Sequence, residues 1–425
     1  MNKLTVKDNY LYENNKPFFW LGDTAWLLFD KLNKNEAKIY LRNRKSLGYN
    51  VIQAVLVYAI PEFETQDRMP HSDNNVHKLE YWNYVKEIVE YAKSLEIYMA
   101  LLPTWGSFAK LGYLNNDNVI KYVKFLTSFF NSDNIIWVLG GDVRGDACYD
   151  VFNTFGNELK KLDPNRLVTF HPFGRTGSYL WFNEQNWLDF NMFQSGHRRY
   201  DQLVTKRWDD NDPNEDTFGE SSYKYVIKNF SYNIKKPCLD AEPSYEGVVQ
   251  GLHDPHEPYW EACHVRRYAY FSVFEGACGF TYGNNAIIQF YIQGDKGSYG
   301  LRETLQEGLH SPGGSQMQYL KELMESIDFV NGSAHTEYIL NQKERCHRIS
   351  CFAGENYILC YTFYGDLIEL DLSKYKNKKM AAYWINPENN SRSYIDTFEG
   401  YDSYKFRPTR KRELSNDWVL MLIEE

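Results

Sequence analysis

Two acidic residues each follow a short, strongly apolar run, and their types and positions fit them for chemistry. Asp142 ends the run Ile135–Asp142, in which five apolar residues lead into two glycines. Glu242 ends the run Lys236–Glu242 and is followed by Pro243. A carboxyl group leaving an apolar strand is partly desolvated, which raises its pKa as a proton donor requires. A second carboxylate can instead act as a nucleophile and form a covalent ester.

Structural roles for both acids stay open from the sequence alone. Asp142 could cap the next helix or pair with Arg144, and Glu242 could pair with Arg266 or Arg267. Two carboxyls about 5–5.5 Å apart retain configuration in glycosyl transfer, whereas about 6.5–9.5 Å gives inversion. The sequence does not measure that distance.

Eight apolar runs alternate with amphipathic segments over about the first 330 residues. The runs are Phe18–Asp23, Asn50–Tyr58, Ile97–Trp105, Asn134–Asp142, Arg166–Pro172, Asp189–His197, Lys236–Glu242 and Gly276–Gly283. Such near-continuous apolarity is typical of parallel strands buried on both faces. Helical spacing predicts helices over Asn35–Leu47, Leu79–Leu95, Val119–Phe130, Val151–Leu162, Tyr259–Phe274 and Ser315–Ile327.

This element order predicts an α/β fold, a (β/α)₈ TIM barrel, which we place over residues 1–332. A doubly wound open sheet is the alternative, but the first run ends in Gly22–Trp26 without the glycine-rich phosphate turn of that fold. In a barrel, Asp142 ends strand 4 and Glu242 ends strand 7, both at the face where active sites lie. Asp240 has the same strand parity as Glu242 and should lie one layer deeper.

The sequence pattern changes after Gly332, and we predict that residues 333–425 form a small antiparallel β-sandwich as an accessory domain. Short runs separated by Gly, Asn, Pro and Lys turns carry this prediction. They are Tyr357–Phe363, Leu367–Leu372, Met380–Ile385, Ser393–Asp396 and Trp418–Ile423.

Other polar and aromatic residues also stand at the predicted strand ends, and we take them as candidate substrate-binding residues. They are Asp23, Trp26, Tyr58, Trp105, His171, Gln194, His197, Tyr282 and Asn284. The tryptophans could stack on a sugar face or anchor the core, since tryptophan has a large apolar ring with a polar edge. His171 could orient the acid/base or be a structural histidine.

Composition excludes several classes of function. The net charge is −9 without a long basic run, which argues against a nucleic-acid partner. The seven cysteines form no C-x-x-C pair, and the His- and acid-rich loop Gly251–Pro258 matches no strong ligand spacing. We therefore expect neither metal nor cofactor. No apolar stretch spans a bilayer and the first residues lack a secretory h-region, so we expect a cytoplasmic protein.

Several motifs resemble the apiosidase-like glycoside hydrolases (glycoside hydrolase family 140). The motifs are Phe19–Trp26 (FWLGDTAW), Gly48–Gln53 (GYNVIQ), Asn134–Asp142 (NIIWVLGGD), Lys236–Glu246, Val265–Tyr270 (VRRYAY) and Gly276–Asn284 (GACGFTYGN). The resemblance implies a barrel of the large retaining clan. It also implies that Asp142 is the catalytic Asp of the Gly-Gly-Asp motif and Glu242 the catalytic Glu of the Glu-Pro motif. The tail resembles a small β-domain named for collagen binding and closes on Asn416–Leu420 (NDWVL).

The sequence departs from the family pattern at two positions, where Tyr268 and Asn285 replace the expected Gln and His. These departures put activity on the apiose side chains of pectin in doubt. We expect a glycosidase acting on an oligosaccharide or glycoside of plant or bacterial origin. A non-catalytic carbohydrate-binding protein is the alternative, although binding alone needs neither carboxylate. A peptidase would need a Ser/His/Asp order, a zinc helix or a catalytic Cys setting that the chain lacks.

Overall fold

The computed structural model describes residues 3–58, 76–202, 218–409 and 414–425. Its larger part is the predicted barrel of eight parallel strands, which we number 1–8 in chain order. They are Trp20–Thr24, Val51–Val55, Tyr98–Leu102, Ile135–Val143, Val168–Pro172, Asn191–Gln194, Cys238–Asp240 and Gly279–Tyr282. Each strand pairs with its neighbours in the order 5-4-3-2-1-8-7-6. The α/β barrel prediction is confirmed.

Strands 5 and 6 meet where the barrel closes. The Asp189 amide donates a hydrogen bond to the Val168 carbonyl at 2.9 Å. The Thr169 hydroxyl donates to the Phe190 carbonyl at 2.7 Å. A short antiparallel strand, Thr176–Gly177, adds to the edge of strand 6. The strand ends are therefore held around one cylinder, with their carboxyl ends on a common face.

Helices cover the outside of the barrel and connect its strands. The α-helices are Leu28–Lys31, Lys34–Ser46, Val76–Ser94, Ser107–Lys110, Val119–Phe129, Tyr149–Leu162, Tyr179–Phe182, Ser222–Ser231, Ala262–Val273, Asn285–Gln289, Leu305–Gly308 and Pro312–Glu325. The 3₁₀ helices are Gly145–Cys148, Phe329–Asn331, Thr336–Tyr338, Arg345–His347 and Ser373–Tyr375. All six predicted helices correspond to observed ones within a few residues. Five of the additional α-helices span four or five residues, too few to show a helical period.

The helix Ala262–Val273 is buried on all sides, because it lies between the barrel and the C-terminal domain. Its two arginines are paired within this interior. Arg266 forms a two-point ion pair with Asp417 of the C-terminal domain, at 2.7 and 2.8 Å. Arg267 pairs with Glu220 at 2.5 Å. The ion-pair alternative for Glu242 is therefore wrong, because both arginines have other partners.

The C-terminal domain is built on a six-stranded antiparallel sheet, and the predicted β-sandwich is confirmed. In spatial order its strands are Ser333–Ala334, Ile349–Ala353, Tyr357–Thr362, Trp418–Glu424, Met380–Ile385 and Arg392–Phe398. A two-stranded sheet, Ile368–Asp371 with Ser403–Phe406, covers one face. Alternate residues follow this layering: Ile358 and Cys360 face the small sheet, whereas Leu359 and Tyr361 face the barrel.

The first described residues form a three-stranded antiparallel sheet ahead of the barrel. Its strands are Leu4–Lys7, Tyr10–Glu13 and Lys16–Phe18. Phe18 packs edge-on against Tyr98 at the start of strand 3, at 5.5 Å between ring centroids. Within the described ranges, no helix combines the length and apolarity needed to cross a bilayer.

Candidate active site

A cleft of about 320 Å³ opens at the carboxyl ends of the barrel strands. Seven of the eleven residues predicted from the sequence line it: Trp26, Tyr58, Trp105, Asp142, Gln194, His197 and Glu242. They lie on strands 1, 2, 3, 4, 6 and 7 or in the loops that follow these strands. Barrel topology therefore collects residues more than 200 positions apart into one site, as the strand-end argument requires.

Asp142 reaches the cleft through an irregularity in strand 4. Gly140 pairs with His171 of strand 5, but the next pair joins Val143 to Pro172. Gly141 and Asp142 are therefore extra residues of a bulge, and such bulges re-aim side chains next to active sites. Asp142 itself has a left-handed backbone, with φ of 51°.

The two glycines before Asp142 are needed for backbone conformation and for space. Gly140 has φ of 83° and Gly141 has φ of 104°. A Cβ at Gly140 would lie 2.4 Å from the His171 carbonyl oxygen, and one at Gly141 would lie 2.9 Å from the Trp105 ring. Neighbouring protein groups therefore occupy the space that a side chain at either glycine would need.

The surroundings of Asp142 favour its protonated form. Asp142 is exposed toward the open cleft, whereas the second carboxyl of the site, Glu242, is buried. Desolvation, together with the nearby Glu242 carboxylate, raises the pKa of Asp142 to about 6. The alternative pairing with Arg144 is wrong, because that arginine binds Asp146 at 2.7 Å.

Glu242 lies at the end of strand 7 between two imidazoles. His197 Nε2 lies 2.9 Å from Glu242 Oε1, and His171 Nε2 lies 3.4 Å from Oε2. Burial alone would raise the pKa of Glu242, but the two histidines outweigh it and lower the pKa to about 2. Between about pH 2 and about pH 6, Glu242 is therefore mainly ionised while Asp142 mainly holds its proton.

His171 connects the two acids, although it lies behind the cleft wall. The Asp142 amide donates a hydrogen bond to His171 Nδ1 at 3.4 Å, and Nε2 of the same ring faces Glu242. The ring is fully buried and packs edge-on against Trp26. His171 is thus placed to hold Glu242 and the bulge in one arrangement.

Three aromatic rings form one wall of the cleft. The Trp105 ring centroid lies 5.2 Å from that of Trp26 and 5.1 Å from that of Tyr58. Trp26 is buried, whereas Trp105 and Tyr58 are half-buried. An apolar wall with polar edges beside two carboxyls suits a sugar ring, which has both apolar faces and hydroxyl groups.

Asp23 lies outside the cleft, and its predicted contact with substrate is not supported by its position. The side chain is fully buried beneath strand 1. Its Oδ2 accepts hydrogen bonds from Arg44 Nε and the Tyr40 hydroxyl, both at 2.5 Å. Asp23 lies one residue before the end of its strand, and its side chain turns toward the helix Lys34–Ser46, where it forms a buried ion pair with Arg44.

Tyr282 and Asn284 likewise lie away from the cleft. The Tyr282 hydroxyl donates to Glu246 at 2.5 Å in the interior. Asn284 caps the helix Asn285–Gln289, accepting hydrogen bonds from the amides of Ala286 and Ile287. Both positions fit structural roles at the end of strand 8 and correct the prediction that these residues contact substrate.

Several cleft residues were missed because they lie in loops without a strand pattern. They include Arg175, Arg198, Tyr245, His253 and Tyr299. Tyr245 alone had a usable signal, since it follows Glu242 by three residues in the Glu-Pro motif. Its ring packs edge-on against His197, at 4.7 Å between centroids.

The loop Gly251–Pro258 is held by ion pairs. His256 and Asp254 contact each other at 3.0 Å on the surface. Glu257 pairs with Arg199 at 2.6 Å. Leu252 and His253 of this loop line the cleft, and the His253 ring lies beside Tyr299.

Two family models match the chain. The model described as "Apiosidase-like, catalytic domain" matches residues 6–331, more than half of the sequence. The chain belongs to the apiosidase-like glycoside hydrolases. A second model, "Putative collagen-binding domain of a collagenase", matches residues 335–423. The predicted family and enzyme class are therefore confirmed.

Solved structures agree with this family. A structure described as "Glycoside hydrolase" is 36% identical with a TM-score of 0.92, covering 100% of this chain and 97% of its own. A family 5 glycoside hydrolase from Bacteroides vulgatus is 35% identical with a TM-score of 0.91, covering 99% and 94%. An endo-β-1,4-mannanase from Thermotoga petrophila, 14% identical with a TM-score of 0.51 over 97% and 98%, shares the fold alone. No curated protein matches the chain.

The two departures from the apiosidase-like pattern lie behind the cleft wall. The Asn285 amide donates hydrogen bonds to the carbonyls of Gly247 and Tyr299, at 3.0 and 3.1 Å. Tyr268 packs against Trp260, whose indole donates to the His197 carbonyl at 3.1 Å. Both residues thus support segments that carry cleft residues.

Proposed function

We propose that the chain is a retaining glycosidase in which Glu242 is the nucleophile and Asp142 is the general acid/base. The observation that carries this proposal is geometric: Asp142 and Glu242 line one cleft at the ends of strands 4 and 7, and the two oxygens of Glu242 face two imidazoles. Two titratable groups whose environments separate their pKa values are the usual sign of acid and nucleophile roles. Glu242, with a pKa of about 2, is ionised when Asp142, with a pKa of about 6, still holds its proton.

In the first step, Glu242 attacks the anomeric carbon while Asp142 donates its proton to the glycosidic oxygen. The carbon–oxygen bond breaks, the aglycone leaves as an alcohol, and an ester joins the sugar to Glu242. In the second step, the Asp142 carboxylate takes a proton from water as the water oxygen attacks the anomeric carbon. The ester breaks, and both carboxyls return to their starting states.

The cleft walls support a glycan of plant or bacterial origin as the substrate. Trp105 and Tyr58 offer half-buried aromatic faces for the apolar side of a sugar ring. Gln194 lies next to Asp142 and supplies an amide for hydroxyl groups. Tyr268 and Asn285 contact segments that carry cleft residues, so the panel of test substrates includes apiosides alongside other glycosides.

The proposal is tested with aryl glycosides and plant oligosaccharides. The wild type is compared with Glu242→Gln and with Glu261→Gln, an exposed acid that serves as the matched control. We expect hydrolysis by the wild type and the control and none by Glu242→Gln. Proton NMR of the first product should show retained anomeric configuration, and an activated fluoro-sugar should label Glu242. Inversion of configuration, or labelling of another residue, would contradict the nucleophile assignment.

A further inference from the structure

A third carboxyl group, Asp240, lies beneath Glu242 and is fully buried. It has the same strand parity as Glu242, as the sequence predicted, and does not line the cleft. The Ser195 hydroxyl donates to Asp240 Oδ2 at 2.5 Å, and the Ser195 amide donates to Oδ1 at 3.3 Å. The backbone amide of Glu242 donates to the same carboxyl. Asp240 therefore joins the ends of strands 6 and 7.

Ser195, which binds Asp240, lies two residues before His197 in the chain. Ser195, Gly196 and His197 form the turn after strand 6, with Gly196 in the left-handed region at φ of 79°. The Gly196 amide donates to the Glu242 carbonyl at 3.1 Å. The Ser244 hydroxyl donates to the Gly196 carbonyl at 2.7 Å. This turn fixes where the His197 imidazole can reach.

We propose that Asp240 is a positioning residue, which binds Ser195 and the Glu242 backbone so that His197 stays within hydrogen-bond distance of the Glu242 carboxylate. The proposal rests on the proposed function, in which Glu242 is the nucleophile. Asp240 touches no substrate and acts through the geometry of its neighbours. His197 then holds one oxygen of Glu242 while His171 faces the other.

The hydrogen bonds between Asp240 and Ser195 explain why a carboxyl group suits this position. Burial raises the pKa of Asp240 to about 7, so its neutral form is accessible and adds little negative charge beneath Glu242. A neutral carboxyl still accepts from the Ser195 amide and can donate to the Ser195 hydroxyl. An Asn side chain offers the same acceptor and a donor, whereas Ala offers neither. The proposal thus predicts that Asn rescues what Ala loses.

The first test is kinetic and uses Asp240→Ala, Ser195→Ala and Asp240→Asn in the full chain. We expect kcat to fall roughly 10- to 100-fold in the two alanine variants with KM little changed, because small misplacements of reacting groups cost that much. Asp240→Asn should stay within a few-fold of the wild type. The acid limb of the pH profile should move to higher pH in the alanine variants, since Glu242 loses part of what lowers its pKa. The titratable groups that face Glu242 are His171, His197, Asp142, Tyr58, Tyr245, Tyr299 and Asp240 itself.

Ser178→Ala is the matched control for loss of a buried serine. The Ser178 hydroxyl donates to Asn191 at 2.7 Å at the other end of strand 6. Its loss should lower stability as much as Ser195→Ala while leaving kcat and the acid limb unchanged. Equal kinetic effects in Ser178→Ala and Ser195→Ala would overturn the positioning role.

The second test does not need turnover. The ¹³C shift of the Glu242 side-chain carboxyl, assigned by its absence in Glu242→Gln, is followed from pH 6 downward. In the wild type, the Glu242 carboxyl should stay ionised down to pH 4. In Asp240→Ala, the same carboxyl should begin to take up a proton at that pH. If no substrate is hydrolysed but this shift occurs, the proposed function fails and the positioning role stands. An unchanged Glu242 titration in Asp240→Ala would overturn the positioning role alone.

Discussion

The ends of strands 4 and 7 deliver carboxyl groups to one cleft in different ways. Strand 4 breaks into a bulge, and Asp142 leaves it with a left-handed backbone beside two glycines. Strand 7 ends at Asp240, and Glu242 follows two residues later with its two oxygens facing His197 and His171. Asp142 is held by backbone geometry, whereas Glu242 is held by side chains from neighbouring strands.

This difference explains how two similar acids take different charges. Desolvation and a neighbouring carboxylate raise one pKa to about 6, and two imidazoles lower the other to about 2. The difference between an Asp and a Glu side chain does not account for either pKa value. In the proposed mechanism, the local fold at each strand end separates the carboxyl that gives a proton from the carboxyl that attacks.

The largest expected effect on kcat comes from removing the carboxylate charge of Glu242. Glu242→Gln keeps the size of the side chain but cannot form the ester, so kcat should fall by at least about 10⁴-fold. Steady-state assays with an aryl glycoside measure the loss. Glu242→Ala with added azide should release a glycosyl azide of inverted configuration, because azide fills the space of the nucleophile. Product of retained configuration would assign the nucleophile to another residue.

Removing the proton donor at strand 4 should have the next largest effect. Asp142→Asn should lower kcat about 10²- to 10⁴-fold for substrates with poor leaving groups, since general acid catalysis contributes that much. Substrates with good leaving groups need less protonation, so their first step should be affected less. Equal losses for both kinds of substrate would mean that Asp142 does not donate the proton.

The barrel order and the pair Asp142 and Glu242 could be placed from the sequence, because apolar strands and their ends are local patterns. The position of Asp23 could not, since it depends on Arg44 from the following helix. The two histidines could be named as candidates, but their contact with Glu242 depends on how strand 5 and the turn after strand 6 pack beside strand 7. Tyr299 lies in a loop with no period, and only the fold brings it to the cleft.

The pH dependence of kcat/KM sharpens the comparison further. In the proposed mechanism Asp142 acts in its protonated form, so activity should be present below its pKa of about 6 and lost above it. Glu242 in its proposed role acts in its ionised form, so activity should be present above its pKa of about 2. The profile should therefore fall about tenfold per pH unit on the alkaline side. Initial rates from pH 3 to pH 8 measure it, and an alkaline limb that persists in Asp142→Asn would assign that limb to another group.

The smallest expected effect concerns the bulge itself. Gly141→Ala places a side chain at φ of 104°, with its Cβ 2.9 Å from the Trp105 ring. Gly112→Ala is a matched control, because it has φ of 80° but nothing within 4 Å of the added Cβ. Each change should cost roughly 1–3 kcal/mol of backbone strain. Gly141→Ala should lower Tm further and also reduce kcat, because relief of the contact moves either Asp142 or Trp105. If both variants lower Tm equally and keep full activity, the bulge tolerates adjustment, and the geometry of strand 4 does not position the acid.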